Sequence, residues 1–262
     1  MRAAITDRDR RKTINTGALS LADQLAQVHP DLQWAIEDIK LPADDGSDIA
    51  QAILTGEGRC MSDGSLKDDF GTSAFTVLLD NKDNMYEGTN RVPGEDNEQS
   101  LYCSELCGIL GNTIMMNAIC ALHGITEPCE MTVGSDSESA LWNAFGDAEL
   151  SSQMASVDIV AAIRKQLQLS PLKWTSKWVK GHQDQKGKVT VLDEWATANV
   201  RCDKLANEKW VTTMETDSAN LRQVVEALPG ESWTIWLNGR KRSTNLDEAL
   251  YRHAKADDII SY

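Results

Sequence analysis

The sequence predicts a mixed α/β protein in which an antiparallel meander and later crossover units form one five-stranded sheet flanked by helices. Three observations carry this. Between residues 58 and 92, three segments rich in β-formers are separated by turn residues. From Ser100 onward, Leu106, Ile109, Leu110, Ile114 and Ala118 recur with helical period. Beyond them, short apolar runs alternate with helical ones as far as Met214.

The elements follow in order. Residues 1–16 are charged and polar without an apolar period, and mobility is expected there. Leu19, Leu21, Leu25 and Val28 suggest a short helix stopping before Pro30. Trp34, Ile36 and Ile39 suggest a second short element ending at Pro42, and Ala43–Asp48 reads as a linker. Gly58–Asp63 is a strand broken by Gly64, Gly71–Asp80 a second, and Met85–Val92 a third, reached through the turn Asn81–Asn84. After the long helix, Met131–Ser135 is a short strand ending at Asp136. Ser137–Phe145 and Gln153–Leu169 read as helices, Leu172–Lys180 as a strand broken by Gly181, and Thr197–Met214 as a helix. Trp174 and Trp178 share a strand face, expected to be buried. In the tail, Asn238-Gly239 between Trp233–Leu237 and Arg240–Ser243 signals a hairpin. Thr244 with Asp247 resembles a capping box for a final helix.

Composition bounds the function. The chain has 262 residues, 41% hydrophobic and 25% charged, which suits a globular protein and excludes a disordered one. No run approaches about 18 consecutive apolar residues, so no membrane span is expected. The charged start lacks the apolar core of a secretory leader. Six cysteines without paired short spacings indicate reduced thiols and an intracellular setting, cytoplasm or nucleus. Forty acidic against 26 basic residues give a net charge of −14, which argues against wrapping nucleic acid by bulk charge. A local basic strip aided by metal ions stays open. Seven Lys/Arg against the single acid Asp184 between Arg164 and Lys188 form one such strip, and Arg240-Lys241-Arg242 a smaller one. Either reads equally as a solvated face.

Four acids stand out by context. Asp63 follows one strand, Asp136 ends another, Glu105 lies in the first turns of the long helix, and Asp203 sits near the start of the last core helix. Sites in α/β folds gather at strand ends and helix starts. Carboxylates brought together raise one another's pKa, and a divalent cation resolves the conflict. Hard oxygen donors suit Mg²⁺, and a pair of such ions can serve phosphodiester hydrolysis. Any one of these acids, taken alone, is more often a turn or cap residue. Other constellations fail. Cys103 and Cys107 lack a second close pair for zinc, Asp80–Glu87 lacks the glycine of a calcium loop, and there is no phosphate-binding G-x-x-x-x-G-K-[ST].

Four blocks stand in a recognisable order. They are Ser62-Asp63-Gly64-Ser65, Ser104-Glu105-Leu106, Ser135-Asp136-Ser137, and Trp178-Val179-Lys180-Gly181-His182 followed by Asn199-x-x-Cys202-Asp203-Lys204-Leu205-Ala206. With them the chain resembles type 1 ribonuclease H, in particular the ribonuclease H domain of retroelement reverse transcriptase polyproteins, over about residues 56–212. The resemblance implies a ribonuclease H-like fold over residues 51–213, with residues 1–50 an N-terminal extension or linker and 214–262 an accessory tail. It implies that Asp63, Glu105, Asp136 and Asp203 bind two Mg²⁺ ions, with Mn²⁺ able to substitute, and that His182 assists proton transfer or product release. The implied substrate is an RNA/DNA hybrid cut in its RNA strand, with a reverse transcriptase domain as a partner in the parent polyprotein. Gly64, Ser65, Ser100, Ser104, Ser137, Lys180 and Asn199 are the substrate-contact candidates. The span between the helices at Ser137–Phe145 and Gln153–Leu169 is too short for the extra basic helix of cellular members, as in the retroelement branch. Leu66–Phe70 replaces a Gly-rich stretch, and Gln183–Ala196 reads as an insertion. Two rival readings are a non-catalytic nucleic-acid-binding or assembly domain on this fold, and a DNA nuclease of integrase or resolvase type.

Overall fold

The computed structural model describes residues 19–94, 98–185, 191–216, 227–231 and 233–260. The segment 1–16, for which mobility is expected, lies outside the described residues, as do Lys186 and Lys188 of the basic strip.

The five expected strands form. They are β2 (Gly58–Lys67), β3 (Phe70–Val77), β4 (Glu87–Arg91), β5 (Glu130–Ser135) and β6 (Lys173–Trp178). β2, β3 and β4 make the antiparallel meander, and β2–β5 and β5–β6 pair parallel. A sixth, β1 (Asp38–Lys40), extends the sheet by pairing antiparallel with β4, so the order is β1-β4-β3-β2-β5-β6. The helices are α1 (Leu21–Leu25), α2 (Ser47–Leu54), α3 (Leu101–His123), α4 (Glu138–Phe145), α5 (Val157–Leu169), α6 (Glu194–Thr216) and α7 (Leu246–Ile260). In the tail, β7 (Ile235–Leu237) and β8 (Arg240–Arg242) form the expected hairpin, with Asn238 and Gly239 both at positive φ.

Strand alternation sorts the core into two layers. Cys60, Phe75 and Val77 face α3 and share one apolar cluster with it and α5. Met61, Ala74 and Leu78 face Trp195, Ala198, Cys202 and Ala206 of α6 in the other. Buried on both faces, β3 has no exposed residue. α3 lies between the sheet and the outer helices, which explains why it is apolar nearly all round. Its mean hydropathy of 1.4 would suit a membrane span, but 78% of that stretch is buried inside the protein. Leu21, Leu32 and Trp34, from the N-terminal segment, join the same core. All six cysteines are free thiols, and all but the half-buried Cys129 are buried.

Three local expectations are corrected. β2 does not stop at Asp63 but continues to Lys67, because its pairing with β3 runs on to Lys67–Phe70 around a turn with Asp68 and Asp69 at positive φ. Trp174 is half-buried and Trp178 is 55% exposed, because β6 is the edge strand of the sheet. Thr244 does not cap α7: its hydroxyl accepts the Ser156 amide, 3.1 Å away.

Candidate metal centre

Three elements each deliver one acid. Asp63 stands in the middle of β2, Glu105 one turn into α3, and Asp136 directly after β5. One carboxylate oxygen from each lies within 4.8 Å of the other two. The parallel β2–β5 pairing sets Asp63 beside Asp136, since both strands point the same way and the register that matches Met61 with Gly134 brings these two acids level two residues further on. α3 descends onto this point because Gly64 leaves room for its backbone: a Cβ there would stand 2.6 Å from the Glu105 nitrogen.

Neighbouring polar groups orient the acids. The Gly64 amide donates to Asp63 Oδ1 at 2.9 Å, and Asn199 Nδ2 to Asp63 Oδ2 at 3.3 Å. Ser135 Oγ donates to Glu105 Oε2 at 3.1 Å and accepts the Ser137 amide at 3.1 Å. Trp178 Nε1 donates to the Asp136 carbonyl at 2.9 Å. Gly181 passes so close to Asp136 that a Cβ there would collide with Oδ2.

Burial and crowding hold these acids back from ionising. Asp63 is 5% exposed and Glu105 3% exposed. Burial first, then the charges of Glu105 and Asp136, push the Asp63 carboxyl well above the usual carboxylate range. Burial, then Asp136, push Glu105 up to about 8. Asp136, more open, is raised mainly by burial, with the nearby His182 charge opposing. Protons hold such a cluster together when no cation does. Hard oxygen donors at this spacing, two buried and one at a cleft, fit a divalent cation such as Mg²⁺. The three side chains that would hold it are Asp63, Glu105 and Asp136.

Asp203 and His182 line the same cleft. Asp203 is not one of the three mutually close acids; it accepts from Asn207 Nδ2 at 3.0 Å, one turn along α6. His182 is exposed, at φ 50°, on the segment after β6. The remaining candidates divide. Gly64, Ser65 and Ser137 line the cleft, and Ser137 also caps α4 by accepting the Ala140 amide. Ser65 Oγ donates to Asn207 Oδ1 at 3.3 Å. The Ser104 hydroxyl is spent on the Ser65 and Ser100 carbonyls, each at 3.1 Å, and Ser100 caps α3 by accepting the Cys103 amide. Asn199 is buried against Asp63, and Lys180 is exposed outside the cleft lining.

Sequence reading passed over Ser135, Asn207 and Tyr102. Asn207 carried a signal, since it lies four residues past Asp203 on one helix face. The basic strips are partly spent inside the fold. Arg164 donates to the Asn143 carbonyl at 2.8 and 3.1 Å, and Lys177 lies 4.7 Å from the Trp195 ring centre.

No family model and no curated protein matches the chain. Solved structures resemble it at a distance. RNase H1 from the halophilic archaeon Halobacterium salinarum NRC-1 is 15% identical, with 59% of this chain and 97% of that one covered and a TM-score of 0.38. The N-terminal RNase H domain of rv2228c from Mycobacterium tuberculosis, solved as a maltose-binding-protein fusion, is 13% identical, with 61% and 98% covered and a TM-score of 0.39. LC11-RNase H1 in complex with an RNA/DNA hybrid is 15% identical, with 57% and 94% covered and a TM-score of 0.37. Apart from β1 at its edge, the chain's own sheet has three antiparallel strands followed by two parallel ones, the mixed sheet expected from the sequence.

Proposed function

We propose that the chain is a metal-dependent endonuclease that hydrolyses the RNA strand of RNA/DNA hybrids, and that it derives from a retroelement polyprotein with a reverse transcriptase partner. The convergence of Asp63, Glu105 and Asp136 within 4.8 Å, inside a ribonuclease H-like sheet, carries the reading. The short passage from Phe145 to Val157, without a further helix, supports the retroelement assignment.

Asp63, Glu105 and Asp136 bind the cations, with Asp203 completing the set from α6. Two Mg²⁺ ions bound there would activate the attacking water and stabilise the departing 3′ oxygen of the phosphodiester. Asn199 and Ser135 keep the Asp63 and Glu105 oxygens turned into the cleft. His182, exposed at the cleft mouth, takes or delivers a proton at the leaving group. Ser65 and Ser137, on the cleft wall, contact the minor groove, where 2′-hydroxyls distinguish RNA from DNA.

The test offers labelled hybrid, double-stranded RNA and duplex DNA side by side, with Mg²⁺, Mn²⁺ or a chelator. Cleavage confined to the RNA strand of the hybrid, and lost with the chelator, is expected. Preference for duplex DNA would favour the integrase or resolvase reading, and binding without cleavage the non-catalytic one.

A further inference from the structure

The Arg240–Arg242 triplet, a phosphate-binding candidate in sequence, spends two of its charges inside the fold. Lys241 Nζ lies 3.1 Å from Asp158 and 2.8 Å from Glu231, and Arg242 lies 3.0 Å from the buried Glu98. Ser243 then joins two separate segments. Its amide and hydroxyl donate to Glu98 Oε2 at 3.0 and 3.1 Å, and its carbonyl accepts the Val157 amide at 3.1 Å. Thr244 accepts the Ser156 amide at 3.1 Å, and the Leu246 amide donates to the Ser152 carbonyl at 3.0 Å.

The segments joined are the approach to α3 and the passage from α4 to α5. Glu98 stands three residues before Leu101, which lines the carboxylate cleft together with Tyr102. The Tyr102 hydroxyl accepts from Asn143 Nδ2 at 2.8 Å. Tyr102 also lines an adjoining open depression with Asn143, Ser151, Gln153, Met154 and Ala155. The surface therefore continues from the carboxylates, over Tyr102, to residues 151–155. Its polar groups are neutral amides and hydroxyls, the kind that bond sugar and phosphate oxygens without reading sequence. Ser156 is held at φ 49°, left-handed for a residue with a Cβ. Such a conformation persists where its surroundings over-determine it, and here the Ser156 and Val157 amides are both taken by the Ser243–Thr244 segment.

We infer that Ser243–Leu246 is a strap that positions a second stretch of nucleic-acid groove, and that Glu98, Ser243 and Thr244 are positioning residues for a hybrid reaching beyond the carboxylates. The inference rests on the hybrid-cleaving reading of the site. Thr244→Val removes the acceptor for the Ser156 amide while keeping the side-chain shape, and Thr244→Ser retains it.

The experiment compares a long hybrid spanning cleft and depression with a short one covering the cleft alone. In the full chain with Mg²⁺, Thr244→Val raises KM for the long hybrid about tenfold, with kcat changed less than about twofold. The KM for the short hybrid is unchanged, and Thr244→Ser behaves as wild type. Equal effects on both lengths, or a loss in kcat alone, would overturn the strap. Anisotropy with a labelled long hybrid, in Asp136→Asn protein, reads the same contrast without turnover. Wild type that binds but does not cleave sinks the cleavage reading and leaves the strap standing. Thr244→Val that binds the long hybrid as tightly as its parent sinks the strap alone. If Thr244→Val does not fold, Gln153→Ala on the exposed groove gives the same length-dependent loss, and its absence overturns the proposal.

Discussion

The backbone of Glu105 rests directly on Gly64: a Cβ built on that glycine would stand 2.6 Å from the Glu105 nitrogen and 2.7 Å from the Ser104 carbonyl carbon. A methyl group has nowhere to go, because both partners are backbone in regular elements. Gly64→Ala is expected to cost about 1–3 kcal/mol through overpacking and to move α3 away from β2. Thermal melting reads the loss. Calorimetric titration with Mg²⁺ reads the second effect, as weakened binding. An unchanged affinity would show that the metal-binding geometry does not depend on this contact.

Replacing one acid separates function from folding. Asp63→Asn and Asp136→Asn are each expected to abolish hybrid cleavage while circular dichroism stays that of wild type. Without metal, either variant melts a few degrees higher at neutral pH, since a neutral amide avoids the burial penalty and the like-charge crowding that raise these carboxyl pKa values. Full activity in either would place the chemistry elsewhere.

The raised carboxyls predict how stability varies with pH. Glu105 titrates at about 8 in the fold against 4.5 as a free side chain, and Asp63 is shifted in the same direction. Between these values the folded state holds more protons than the unfolded one, so metal-free stability falls as pH rises. The contribution is fully present below the unfolded pKa and is lost as pH passes the folded one. The melting temperature of the metal-free protein is thus expected to drop from pH 5 to pH 8, apart from the common background of other groups. Millimolar Mg²⁺ should raise it far more at pH 8 than at pH 5, because the cation competes with those protons. A Mg²⁺ effect independent of pH would rule out the shared cluster.

His182 sits on the cleft, where it opposes the burial that raises the Asp136 pKa. His182→Ala is expected to slow kcat by about a hundredfold, within the range for one acid–base group, while KM stays near wild type. A variant with unaltered kcat would remove His182 from the proton path.

Much of this molecule was written in local pattern. A run of β-forming residues marked β3, helical periodicity marked α3, and the Asn-Gly pair marked the β7–β8 turn, because each depends on neighbours close in the chain. The order of the four acidic blocks pointed to the ribonuclease H-like sheet. The distances between the acids could not be read that way. Asp63 and Glu105 lie 42 positions apart in sequence, and their approach depends on a strand and a helix packing without a side chain between them.

What the sequence determined by itself was which residue types alternate, and hence the sheet, its central helix and the acids offered to it. What only the tertiary structure decided was where polar groups spent their bonds. Arg240-Lys241-Arg242 has the same composition whether it grips phosphate or ties down a tail, and the buried Glu98 and Asp158 settle which. Trp178 reads as core until β6 proves to be an edge strand of the sheet, where the ring is half exposed. The physical reason is common to these cases: a side chain's hydrophobicity and charge are local properties, but its burial and its partner belong to surfaces assembled from distant parts of the chain.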